Sequence, residues 1–279
     1  MVEEDDPVWI APSTVKLFLE FRHLSELVLL VGTLVGTEDM SRIFECFSKL
    51  HNLRKLKINV RCFKVPNAIN DLGKVIGANL NLTHLELVNY LGFEGNLSTI
   101  FGYVPASSPL KLEHLGISYG FSNSMAIVPH IHSLTSIHLG FRGDILTVLH
   151  SNRIFPPIIR TASVDSNLID YLRQHPRIVS LSIHTNYEEF MGRTILEIMT
   201  RHSGSLTYFG TTPPGLFSCL EHVEYNFLQL AKLEQLVLCY ESTLEGWYSG
   251  TDIDVPGELV SRPCSRVFWL RCTEDIPRR

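Results

Sequence analysis

The sequence has no run of about twenty apolar residues, the length a membrane-spanning helix needs. Its longest apolar stretch, Leu27 to Gly36, is about half that and contains Gly32 and Thr33. No two of its six cysteines form a CxxC pair; the nearest two, Cys264 and Cys272, are eight apart. That excludes a zinc-finger spacing and a dense disulfide scaffold, and the thiols are expected to be reduced and packed. There is no HExxH, no Walker loop and no GxGxxG after a strand, so no metal and no cofactor is expected. A basic excess is missing too. Lys and Arg number 24 against 29 Asp and Glu, a net charge of −5. A weakly acidic chain lacks the field on which non-specific nucleic-acid binding relies. The start, MVEEDDP, is acidic where a leader would be basic, so a cytoplasmic or nuclear protein is expected, with no membrane segment. Asn81-Leu82-Thr83 and Asn96-Leu97-Ser98 match the glycosylation triplet, and without a leader they read as chance.

Leucine, in contrast, is abundant: there are 39. With 45% hydrophobic residues the chain has ample material for a core, which excludes intrinsic disorder. The leucines follow a period. The pattern apolar-x-x-apolar-x-apolar occurs at Leu24-Leu27-Leu29, Leu53-Leu56-Ile58, Leu82-Leu85-Leu87, Leu112-Leu115-Ile117 and Leu134-Ile137-Leu139. Weaker copies stand at Ile159-Ala162-Val164, Ile178-Leu181-Ile183 and Leu206-Phe209-Thr211. A strong one returns at Leu233-Leu236-Leu238, and Cys264-Val267-Trp269 is a still weaker tenth. One hexamer means little in a leucine-rich chain, but nine at near-even steps of about 26 residues mark an internal repeat.

The last four residues of each hexamer alternate, as in a strand with one buried face. Helical spacing fills the gaps: Met40 to Phe47, Ala68 to Ala78, Ser166 to His175, Glu188 to His202, and a segment opened by Pro213-Pro214. Strand, loop, helix, loop, strand predicts an α/β solenoid: a curved parallel sheet with helices on its convex side, in nine to ten irregular repeats. A single solenoid domain over 1–279 is expected. Residues 1–22 would form an N-terminal capping helix, 23–245 the repeats and 246–279 a C-terminal cap and tail.

These hexamers resemble the LxxLxL core of leucine-rich repeats. The irregular steps resemble the ribonuclease-inhibitor-like class, in particular the repeat regions of fungal F-box proteins. Tyr90 and Gly120 stand where the usual asparagine would follow the strand, and no LPxE-type F-box motif is present. The resemblance implies a substrate-receptor domain for ubiquitin ligation.

Three groups of residues invite chemistry. Gly116-Ile117-Ser118-Tyr119-Gly120 matches GxSxG, the nucleophile elbow of serine hydrolases, with His184, His202 or His222 as the base. The motif falls in step with the repeat, however, and no HGGG-like segment accompanies it, so a repeat strand running into its loop is the simpler reading. His130 and His132 form an HxH that could offer two metal ligands on one strand face. No third ligand stands at a telling spacing, and ordinary loop histidines explain the pair. Arg54, Lys55, Lys57, Arg61 and Lys64 make a basic run. An in-register parallel sheet would set Lys55 beside Glu26 and Lys57 beside Glu86, one strand spacing of about 4.8 Å away. Cross-strand ion pairs then account for the run better than a phosphate patch.

Not an enzyme, then, but a protein-protein interaction scaffold is expected, binding a protein partner on the concave face of the sheet. The strand positions between the buried ones nominate His114, Ser118, Ser136, His138, Thr161, Ser163, Asp165, Ser180, Ser182, His184 and Tyr208. Small side chains there would let a partner backbone approach; crowding on an inner face would select the same residues. Two other readings stand beside the scaffold: a serine hydrolase using Ser118, and an orphan or truncated repeat fragment without a partner.

Overall fold

Nine of the parallel strands among the described residues grow out of apolar hexamers. The computed structural model describes residues 23–31, 45–60, 66–89, 95–117, 121–140, 144–183, 189–211, 230, 232–240 and 266–271. The chain divides into two compact units, 1–134 and 135–279. In the first, β1 (Glu26–Val31), β2 (Lys55–Val60), β3 (His84–Asn89) and β5 (His114–Ile117) lie side by side in sequence order, all parallel. In the second, β7 (Ser136–Leu139), β8 (Ile158–Thr161), β9 (Ser180–Ile183), β10 (Tyr208–Thr211) and β11 (Gln235–Tyr240) do the same. A two-stranded parallel ribbon of β4 (Gly95–Asn96) and β6 (Phe121–Ser122) is an addition that no hexamer foretold.

Helices occupy the crossovers: α1 (Pro66–Ala78), α2 (Leu97–Phe101) and a 3-10 helix over Ser124–His130 in the first unit, α3 (Asp144–Ser151), α4 (Ser166–Gln174) and α5 (Glu189–Arg201) in the second. Asp165 starts α4 by accepting the Leu168 N–H at 2.8 Å, an N-cap. Parallel neighbours laid down in order require crossovers of one hand, which places the helices of a unit on one face of its strands. Burial agrees. Leu27, Leu56, Leu85 and Leu115 are neighbours in register and buried, as are Ile137, Ile159, Leu181 and Phe209. Helical side chains such as Leu72, Ile76, Leu168 and Ile195 are buried as well. We call the other side of the strands, which carries none of these buried leucines, the outward face.

The backbone repeats as well. The carbonyl just before a strand accepts two consecutive N–H groups from the next unit: Ser25 from Arg54 and Lys55, Arg54 from Thr83 and His84, Thr83 from Glu113 and His114. In the second unit Pro157 accepts from Val179 and Ser180, Val179 from Thr207 and Tyr208, and Thr207 from Glu234 and Gln235. Each acceptor is the residue after a hexamer's first apolar position.

That regularity corrects two readings of the sequence. The sixth hexamer is not Ile159-Ala162-Val164. The acceptor is Pro157, and Ile159 pairs with Ile137 and Leu181, so the unit reads Pro156-x-x-Ile159-x-Thr161. Anchors then stand at 134, 156 and 178, evenly 22 apart. The sequence misled because Ile159-Ala162-Val164 is apolar at all three positions, whereas the actual unit opens on Pro156 and closes on Thr161. The tenth hexamer is no repeat either. β12 (Arg266–Arg271) pairs with β11 in the antiparallel sense, Leu238 opposite Phe268. Leu236, at an anchor position, is also only half-buried. The capping segment 1–22 and most of 246–279 lie outside the described residues.

Candidate functional site

On the outward face of the first unit, charges alternate from strand to strand. Lys55 Nζ lies 3.4 Å from Glu26 Oε2, and Lys57 Nζ lies 3.2 Å from Glu86 Oε2, the two pairs that the register requires. His114 Nε2 is 3.9 Å from the same Glu86 oxygen, and its ring stacks on His84 with centroids 5.8 Å apart. His84 Nδ1 in turn is 2.9 Å from Thr83 Oγ1. Gly116 is small because Glu86 lies over it; a Cβ there would collide with the Glu86 side chain.

The second unit presents hydroxyls and few charges. Ser136 and His138 on β7, Ser180 on β9 and Tyr208 on β10 are half-buried outward positions. Ser182 shares that face but is only 4% exposed. A Cβ on Gly210 would stand 2.8 Å from Tyr208 Oη and 3.2 Å from Ser182 Oγ, so both hydroxyls converge above this glycine. The small residues here are covered by the chain's own side chains, not held open for a foreign backbone.

The shift of the sixth hexamer moves three nominated residues off the face. Thr161 points inward, 2% exposed, and its hydroxyl is spent on Ser163, donating to the carbonyl at 2.8 Å and accepting from the N–H at 3.2 Å. Ser163 follows the strand and donates to the Gly140 carbonyl at 3.5 Å. Asp165 caps α4. The outward positions of β8 are instead Ile158, 41% exposed, and Arg160, half-buried between His138 and Ser182 in register. Sequence reasoning missed both; the even 22-residue step from Leu134 would have found them. Ser118 and His184 lie outside the described residues.

The interior histidines are structural. His202, a candidate catalytic base, is buried and its Nε2 is 3.2 Å from the Leu172 carbonyl. His175 Nε2 is 3.0 Å from the Pro156 carbonyl, and its Nδ1 accepts the Arg177 N–H at 3.2 Å. Both nitrogens are thus satisfied by the neutral ring. Burial pushes His175 down to about 4, with His202 nearby adding to the effect and the Pro156 bond opposing it. Burial also lowers His130 and His202. His130 is not on a strand: it ends the 3-10 helix, accepts the Leu110 N–H at 3.1 Å through Nδ1 and stacks on Phe101. His132 is exposed, so the HxH residues do not share a face. Among the described residues no group of three His, Cys, Asp or Glu side chains could hold a metal ion. No helix there is long and apolar enough to cross a membrane. No protein-family model matches the chain, and no curated protein is significantly similar to it.

Proposed function

We propose that this chain is a leucine-rich-repeat solenoid that binds a protein partner through the outward face of its strands and catalyses no reaction. The observation that carries the reading is the repeated unit: β1, β2, β3 and β5 in the first unit and β7 to β11 in the second each follow an LxxLxL-type hexamer and pair with their neighbours in sequence order, and the carbonyl before the strand recurs as a double acceptor. A sheet built this way leaves one face clear of the described helices and with varied polar side chains, which suits recognition. The same repeats resemble the substrate-selecting regions of F-box receptors, and selection of a protein for ubiquitin ligation is the setting proposed.

The test compares proteins retained by the full chain with those retained by two folded variants. Ser136→Arg/Ser180→Arg places bulk on the outward face, and Glu197→Arg changes an exposed position of α5. A partner lost with the first variant and kept with the second supports the reading. A partner lost only with the helix variant overturns it.

A further inference from the structure

We propose that the outward face of the second unit recognises an acidic peptide segment, with Arg160 as the anchor; this deepens the protein-binding reading and rests on it. The contrast between the two units carries the inference. In the first, each lysine on the outward strand positions has an acidic neighbour on the adjacent strand, Lys55 with Glu26 and Lys57 with Glu86. In the second, Arg160 is the one Lys or Arg among the outward positions of β7 to β11, and none of those positions is acidic. The Arg160 side chain makes no ion pair or hydrogen bond among the described residues. Asp165, close in sequence, spends its carboxylate on the N-terminus of α4.

A guanidinium is a planar fork that matches a carboxylate with two parallel hydrogen bonds. Here it is half-buried, and its register neighbour Ser182 stands with Tyr208 Oη over Gly210. Ile158, two residues away on the same face and exposed, offers an apolar contact to the peptide residue adjoining a carboxylate docked on Arg160. A nucleic acid is the poorer fit, because its affinity comes from neutralising several phosphates and the outward positions of β7 to β11 hold one arginine.

The test is selection on the full chain from three dodecapeptide libraries with a central Glu-x-Glu, Gln-x-Gln or Lys-x-Lys and otherwise randomised. The Glu library is expected to be enriched over the Gln library by about tenfold, the scale of one charge-assisted bidentate contact. Arg160→Gln should abolish that preference, Arg160→Lys should keep only part of it, and Lys57→Gln should leave it intact. Thermal melts establish that each variant is folded; should Arg160→Gln not fold, Arg160→Lys decides. Enrichment of acidic peptides that survives a folded Arg160 variant overturns the proposal. So does the absence of any Glu preference in the parent chain. Neither result touches the protein-binding reading, which falls only if the outward-face arginine variants retain their partner.

Discussion

At the residue scale, a few buried polar side chains join one repeat to the repeat before it within the same unit. Asn79, fully buried at the end of α1, accepts the Leu53 N–H at 2.9 Å and donates to the Leu50 and Val75 carbonyls at 2.7 and 2.8 Å. In the second unit His175 and His202 do similar work against the Pro156 and Leu172 carbonyls, and Tyr171 donates to the Ile154 carbonyl at 3.0 Å. Asn79→Ala would strand three buried backbone groups and should cost at least about 2–3 kcal/mol by chemical denaturation. The histidines add a pH dependence of definite sign. Unfolded, they take up protons near 6.5; folded, His175 resists until about 4, because burial disfavours the charged ring and His202 nearby adds to the effect. The unfolded state therefore binds more protons as pH falls, and stability present above about 6.5 is lost on the way to about 4. The loss attributable to His175 is about 3 kcal/mol. Urea midpoints followed across that range should fall, and His175→Gln should flatten the slope; an unchanged slope would remove His175 as its source.

The element scale turns on register. A strand shifted by three residues exchanges its buried and outward faces, and β8 is the case where Ile159 fits either the first or the fourth position of a hexamer. If Ile159 occupies the core position, Ile159→Ala should cost about 2–5 kcal/mol. Val164→Ala, past the strand and only half-buried, should cost under about 1 kcal/mol. The reverse order would restore the hexamer read from sequence. Gly210 supplies a second test. Gly210→Ala should destabilise by about 1–3 kcal/mol by overpacking against Tyr208, and Tyr208→Ala in the same chain should relieve most of that cost. Additive effects in the double-mutant cycle would show that the tyrosine does not cover the glycine.

At the scale of the whole molecule, a row of parallel strands must end somewhere, and an open edge invites another chain. In the second unit β12 runs back along β11 over six paired positions and covers that edge. Successive N–H groups on a strand point to opposite sides, so Val267→Pro/Phe268→Pro must remove a donor facing β11 whichever phase holds. The variant should self-associate in sedimentation velocity at concentrations where the parent does not. A monomeric variant would mean that the edge is blocked by other means.

Much of the fold was legible in the residues because its signal is local and repeated. An alternating tetrapeptide behind an apolar anchor defines a strand and its buried face, whatever follows it. Units of similar length then bring equal positions together, which made the pairs Lys55–Glu26 and Lys57–Glu86 foreseeable from spacing alone. The tertiary structure decided whatever depends on a neighbour 20 to 30 residues away. Pro156 rather than Ile159 anchors its unit because the Pro157 carbonyl must meet Val179 and Ser180. The side chains of Glu86 and Tyr208 lie over Gly116 and Gly210, and no local pattern foretells it. The last strand turned antiparallel, and hexamer spacing carries no information on chain direction. Arg160 emerged only once register placed it between His138 and Ser182, since the face of a strand residue is set by pairing, not by composition.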